Sequence, residues 1–120
     1  MKTAKPWILM ITVSMMLFIL GSHVIGEEAA QVIQITVKRF EYSPKEVTVK
    51  KGIPVVLEFT SLDRLHGFNC PGLKIRLDIR PGQVNRLRFL PEKAGTFPFH
   101  CDNFCGSGHE GMTGKIIVTE

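Results

Sequence analysis

Apolar and polar residues alternate with a period of two through most of the chain after residue 29, and this pattern constrains the fold more than any other feature. The clearest case runs from Leu73 to Arg80, where every second residue is Leu or Ile and the residues between are charged. Such alternation is typical of β-strands that bury one face. Comparable segments occupy residues 33–38, 46–50, 55–59, 84–90, 95–101 and 114–120.

Turn-forming dipeptides separate these segments. Pro71-Gly72 and Pro81-Gly82 are examples, and such pairs interrupt regular structure. No helical periodicity of useful length follows residue 30. Short strands separated by turns predict an all-β fold, an antiparallel β-sandwich. A chain of 120 residues is long enough for one such domain with its own core.

The first 28 residues have a different composition. Lys2 and Lys5 precede a stretch, residues 6–26, without Asp, Glu, Lys or Arg. As a helix it would be roughly 30 Å long, enough to span a bilayer, while the apolar run at 7–20 also fits a signal peptide. We therefore predict a signal peptide or single transmembrane anchor at 1–28 and an exported domain at 29–120. The domain would lie on the extracytoplasmic or periplasmic side, anchored by residues 6–26 or released by cleavage near Gly26.

The charge of the chain does not indicate a nucleic-acid partner. The formal net charge is +4, and acidic residues are interspersed with the Lys and Arg residues. Basic segments that bind nucleic acid usually contain a continuous run or cluster of Lys and Arg. We expect a solvated, mildly basic surface and no nucleic-acid binding.

The segment FHCDNFCGSGHEGM, residues 99–112, carries the chemistry. Cys101, Cys105, His109 and Met112 form the pattern C-x3-C-x3-H-x2-M between two predicted strands. Gly106, Gly108 and Gly111 would let this loop turn tightly, and thiolate, imidazole and thioether ligands together favour copper over hard cations. A further ligand has to come from elsewhere in the fold. His66, just past a predicted strand, is the candidate.

Four other interpretations each leave part of this pattern without a role. A Cys101–Cys105 disulfide suits an oxidising compartment but does not use His109 or Met112. A zinc site could use both cysteines, His109 and His66, and leaves Met112 idle. A mononuclear blue-copper site needs one cysteine rather than two. A Cys/His nucleophile requires a base and a cleft that nothing else in the chain supplies. A centre that uses both sulfurs uses every residue of the pattern.

The loop resembles the binuclear copper A loop of cytochrome c oxidase subunit II. The resemblance extends over residues 33–120 and includes LHGF, RPGQVNRLRF, PEKAGTFPFHC and GMTGKIIV. It implies a Greek-key cupredoxin β-sandwich that transfers single electrons. The implied partners are a c-type cytochrome or similar donor, oxidase subunit I, and the membrane if the N-terminal segment is retained. A free-standing periplasmic carrier and a copper-delivery protein are alternatives.

The resemblance also implies a ligand set for two copper ions. Cys101 and Cys105 would bridge both ions through their sulfurs. His109 and the backbone carbonyl of Asn103 would complete one ion. His66 and the Met112 sulfur would complete the other.

Several residues remain outside this set. Many members of the family have a Trp and Tyr cluster near the copper, but Trp7 and Tyr42 are the only Trp and Tyr here. Electrons would then enter through Phe99, Phe104 or the exposed edge of a ligand histidine. His100 is expected at the surface, because alternation points it away from Cys101. The third cysteine, Cys70, is expected to be a small buried side chain.

Overall fold

The structure is a computed structural model, and it describes residues 29–120. The predicted signal peptide or anchor at 1–28 and its cleavage point lie outside the described residues. Within them, no helix is long and apolar enough to cross a membrane. The described part contains short 3-10 turns at Pro71–Leu73 and His109–Gly111. Its strands are β1 (Gln31–Lys38), β2 (Glu41–Ser43), β3 (Glu46–Lys50), β4 (Val55–Ser61), β5 (His66–Cys70), β6 (Ile75–Ile79), β7 (Val84–Phe89), β8 (Gly95–His100) and β9 (Thr113–Thr119).

The strands form two sheets, which confirms the all-β sandwich predicted from the alternation. One sheet has the order β2-β1-β4-β7 and the other the order β3-β9-β8-β5-β6. Five strand pairs are antiparallel, as expected, whereas β1 pairs with β4 and β3 pairs with β9 in parallel. Alternation specifies which face of a strand is buried, not its direction. Since β3 crosses to the second sheet, β4 returns beside β1 with the same direction.

An aromatic cluster fills the core between the sheets. Tyr42, Phe68 and Phe99 are fully buried or nearly so, and the Phe99 ring packs at 4.9 Å from Tyr42 and 5.0 Å from Phe68. Phe99 and Phe68 lie on the neighbouring strands β8 and β5. The prediction for Cys70 is confirmed, because its side chain is buried in the same core. Close packing here fixes the strand ends from which the loop of residues 101–112 departs.

Candidate metal centre

Three segments converge at one end of the second sheet. They are the first residue of β5, the loop that leaves β8, and the 3-10 turn that precedes β9. The β8–β9 loop closes on itself, because the Cys101 amide donates a hydrogen bond to the Met112 carbonyl at 3.1 Å. The local sequence therefore brings the ends of the C-x3-C-x3-H-x2-M pattern together. Tertiary structure adds His66 from a strand far away in sequence.

The side chains of His66, Cys101 and Cys105 form a compact buried cluster. Their donor atoms all lie within 4.8 Å of one another, and each of the three side chains is at most 2 % exposed. Both cysteines of the cluster are free thiols. Two sulfurs and an imidazole nitrogen at this separation are close enough to share a metal centre.

The remaining predicted ligands lie directly beside this cluster. Cys105 Sγ is 3.6 Å from His109 Nδ1 and 3.7 Å from Met112 Sδ. Cys101 Sγ lies 3.1 Å from the backbone carbonyl oxygen of Asn103. The fold thus brings together all six residues that the sequence analysis named. The carbonyl of Asn103 faces the cysteine sulfur, while its side chain points to another strand.

A carboxylate that the sequence analysis missed orients the His66 ring. His66 Nε2 lies 2.6 Å from Asp63 Oδ1, whereas the buried Nδ1 has no hydrogen-bond partner. With the Nε2 proton donated to Asp63, Nδ1 carries a lone pair that faces the interior. Histidines that bind a metal through one ring nitrogen usually donate the N–H of the other to a carboxylate in this way. The spacing D-x-x-H was the signal that could have identified Asp63.

The Asp63 carboxylate is held by backbone amides as well as by the ring. It accepts hydrogen bonds from the Arg39 amide at 2.8 Å and the Arg64 amide at 2.7 Å. Partial desolvation raises the pKa of Asp63, but the hydrogen bonds from Arg39, His66 and Arg64 outweigh it and lower the pKa to about 2. Asp63 is therefore ionised at neutral pH and orients the His66 ring from a fixed position.

The Cys101 sulfur receives a backbone hydrogen bond from β5. The Gly67 amide donates to Cys101 Sγ at 3.3 Å, and the Tyr42 hydroxyl donates to the Gly67 carbonyl at 2.6 Å. Burial, followed by the neighbouring Cys101, raises the pKa of Tyr42 well above its usual value. The hydroxyl therefore remains a donor, and Gly67 is held through its carbonyl as well as through the amide that contacts Cys101. Tyr42 contributes to this site although it offers no ligand.

The second cysteine is a protonated thiol at neutral pH. Burial and then the nearby Cys101 raise the pKa of Cys105 to about 11. Cys105 and the adjacent Met112 are both fully buried. A metal that binds here as a thiolate complex must displace the Cys105 proton.

Phe40 explains two of the three loop glycines. Gly106 has a φ of +139°, and a Cβ on Gly106 or Gly108 would collide with the Phe40 ring. The third glycine differs, since a Cβ on Gly111 would meet nothing within 4 Å. The loop therefore turns tightly because it packs on Phe40, and Gly111 is not needed for that packing.

The periphery of the cluster tests the expectations for the remaining side chains. His100 is exposed at the end of β8, as predicted. The prediction that electrons could enter through Phe99 is wrong for direct contact with a partner, because Phe99 is 1 % exposed and lies in the core. Phe104 is 77 % exposed, and its ring centroid lies 5.7 Å from that of His109. Of the two phenylalanines, only Phe104 therefore lies where another protein can contact it.

A β-sandwich with sulfur and imidazole donors gathered at one end of a sheet defines a cupredoxin-type domain. The chain belongs to the cupredoxin-like domain family, which it matches over residues 8–118. It is 36 % identical over 81 residues to cytochrome c oxidase subunit 2 of Thermus thermophilus, covering 68 % of this chain and 60 % of that protein. The resemblance identified from the loop is thereby confirmed.

Two further comparisons extend this result. The chain is 32 % identical over 90 residues to the nitrous-oxide reductase of Ralstonia nicotianae, covering 72 % of this chain and 14 % of that protein. The periplasmic domain of cytochrome oxidase subunit II of Bradyrhizobium japonicum has the same fold, with a TM-score of 0.69 at 23 % identity over 79 % of this chain and 88 % of that one. This chain spans 60 % of the length of the Thermus subunit 2 and 14 % of the length of the Ralstonia reductase.

Proposed function

We propose that residues 29–120 hold a binuclear copper A centre and transfer single electrons, as the subunit II-type module of a haem-copper oxidase. The cupredoxin-like family and the similarity to oxidase subunits 2 support a copper electron-transfer module in general. The observation that carries the binuclear proposal is the presence of two adjacent buried thiols among imidazole and thioether donors. A single blue-copper ion would use only one of them.

The residues present fit copper on two grounds. The first is the chemistry of the donor set, which consists of thiol, thioether and imidazole groups with one backbone carbonyl and contains no carboxylate. Such soft ligands favour copper. The second is the buried Nδ1 of His66, which lacks any hydrogen-bond partner. A buried nitrogen without a partner is costly, and a metal ion would satisfy it. The Asp63 carboxylate accepts the hydrogen bond from the other ring nitrogen, Nε2.

In this proposal the six residues divide as the resemblance implies. Cys101 and Cys105 would hold both ions through their sulfurs, and the other ligands would complete the site in two pairs. These pairs are His66 with Met112, and His109 with the Asn103 carbonyl. Copper bound there would supply the group that takes up and releases one electron. The protein holds the donors in a rigid, buried frame, so that little has to move between redox states.

The exposed apolar side chains beside the cluster provide the contact for a redox partner. Leu62 is 64 % exposed and Leu65 is 39 % exposed, both on the segment before His66. Phe104 projects from the β8–β9 loop. The Arg64 guanidinium joins the two segments by donating to the Cys105 carbonyl at 3.3 Å. The partner would be a c-type cytochrome or similar donor, with oxidase subunit I as acceptor, on the extracytoplasmic side of the membrane.

A free-standing electron carrier is the second candidate. It stays open because the same domain also matches a nitrous-oxide reductase, so the match to oxidase subunits does not by itself fix the partner. Reduction of a purified oxidase by the copper-loaded chain in solution, at saturating turnover, would favour the carrier. Activity only after stable co-purification with subunit I would favour the subunit.

Copper stoichiometry tests the proposed site. After thiol reduction and copper loading, the chain should retain two copper ions, and C101S or C105S should each abolish the two-copper form. The matched control is C70A, because Cys70 is a buried cysteine outside the cluster. C70A should retain both ions. One ion per chain, or retention of both in C101S and C105S, would overturn the proposal.

A further inference from the structure

Side chains of β6 contact the two loop residues that follow Cys101, namely Asp102 and Asn103. Arg76 donates to both carboxylate oxygens of Asp102, with the Nη2–Oδ1 distance at 3.0 Å. The bidentate geometry is the strong form of this pair, because two parallel N–H donors fix direction as well as distance. Asp102 follows Cys101 directly, so this ion pair ties the start of the loop to β6, on the far side of β5.

Asp78, two residues further along β6, extends the connection to Asn103. Arg76 Nη2 lies 2.8 Å from Asp78 Oδ1, and the same oxygen accepts a hydrogen bond from Asn103 Nδ2 at 3.1 Å. Arg76, Asp78, Asp102 and Asn103 therefore form one connected network, which we call the β6 clamp. Networks of this kind hold geometry better than isolated surface pairs, because each side chain is already ordered by another.

The surface of β5 closes the loop from the other side. The loop lies directly on Gly67, where a Cβ would overlap the Asp102 carboxylate and approach the Asp102 amide nitrogen at 3.1 Å. The Gly67 amide also donates to Cys101 Sγ. Asp102 is thus confined between the bare backbone of β5 and the guanidinium of Arg76.

We propose that Arg76 is a positioning residue of the copper site: through the β6 clamp it holds the Asp102–Asn103 segment, and with it the Asn103 carbonyl and the Cys101 sulfur. This inference rests on the proposed function for its consequence at the metal. The ordering of the loop itself does not depend on metal. Loss of a supporting contact of this kind typically lowers metal affinity roughly 10- to 100-fold.

Arg86 offers a matched control. It lies on β7 in the other sheet and forms a comparable arginine–carboxylate pair with Glu58, at 2.7 Å. Both arginines are partly exposed, and each carboxylate partner is largely covered. R86Q therefore removes an arginine–carboxylate pair, with a single contact, without touching the loop. R76K retains the charge of Arg76 but not its forked geometry.

The first measurement is amide hydrogen exchange of the copper-free chain. R76Q and R76K should accelerate exchange of the Cys101 and Gly67 amides, which donate to the Met112 carbonyl and to Cys101 Sγ, whereas R86Q should leave these amides unchanged. Unchanged exchange in R76Q, or wild-type exchange in R76K, would overturn the clamp. A uniform acceleration over all strands in R76Q would also overturn it, because that result indicates general destabilisation.

The second measurement is the rate of copper release to a chelator from the loaded chain. R76Q and R76K should release copper about 10-fold faster than R86Q. Equal release rates would overturn the role of Arg76 at the metal. If the wild-type chain binds no copper, the proposed function fails, while the exchange result still decides whether the clamp orders the loop.

Discussion

Gly67→Ala places one methyl group where β5 lies directly against the β8–β9 loop. The new Cβ would overlap the Asp102 carboxylate, and it would lie 3.1 Å from the Asp102 nitrogen and 3.2 Å from the Asn103 nitrogen. The carboxylate can rotate away only by leaving Arg76. The two backbone nitrogens can move only if the loop shifts by a few tenths of an ångström. The substitution therefore strains the connection between Cys101 and Asn103 without changing any proposed ligand.

The magnitude follows from these contacts. Overpacking a closely packed position costs about 1–3 kcal/mol of unfolding free energy, and loss of a partly exposed ion pair adds at most about 1 kcal/mol. We expect about 2 kcal/mol in total. For a domain of this size, that lowers the thermal unfolding temperature by about 8–16 °C.

Thermal unfolding of the copper-free chain, followed by circular dichroism, measures this effect. Gly111→Ala is the control, because it adds the same methyl group within the same loop, at a position where nothing lies within 4 Å of the new Cβ. G111A should stay within about 0.5 kcal/mol of wild type. In a double-mutant cycle, D102A should relieve part of the G67A penalty, with a coupling of at least about 0.5 kcal/mol. Equal unfolding temperatures for G67A and G111A, or no coupling to D102A, would refute this reasoning.

Three further predictions concern the loaded site. M112L should retain copper and raise the midpoint potential by tens of millivolts, where about 59 mV equals a tenfold change in a one-electron equilibrium. Redox titration measures this shift. Loss of all copper would mean that the ligand roles are misassigned. F104A should slow reduction by a c-type cytochrome without changing stability, because Phe104 is 77 % exposed. The control is L90A, at an exposed leucine remote from the loop. Equal stopped-flow rates for the two variants would argue against this contact. Copper affinity should rise with pH, since the pKa of Cys105 is about 11 and its proton must leave; competition titrations should show about a tenfold gain per pH unit for each proton released, and a pH-independent affinity would contradict a thiolate ligand.

Local sequence patterns predicted most of the strands and the ligand loop. The alternation predicted segments that match β1, β3, β4, β6, β7, β8 and β9 closely. It missed β2, which has only three residues, and β5, whose residues are nearly all buried and so do not alternate in polarity. The spacing from Cys101 to Met112 was informative because the loop closes on itself.

Contacts between distant segments could not be predicted in the same way. Arg76 and Asp102 are separated by 26 residues, and nothing in either local pattern indicates that they pair. The parallel pairs likewise depend on which sheet β3 joins, a choice made by packing of the whole core. The misplacement of Phe99 was avoidable. Period-two alternation places Phe99 on the same face as Cys101, and that face is buried.

Electron paramagnetic resonance of the copper-loaded, partly oxidised chain tests the central proposal most directly. A binuclear centre bridged by Cys101 and Cys105 predicts one unpaired electron with hyperfine splitting from two equivalent copper nuclei, and a metal content of two ions per chain. The same spectrum should persist in C70A. A spectrum from one copper nucleus, or no copper uptake by a chain with a Cys101–Cys105 disulfide that resists reduction, would contradict it.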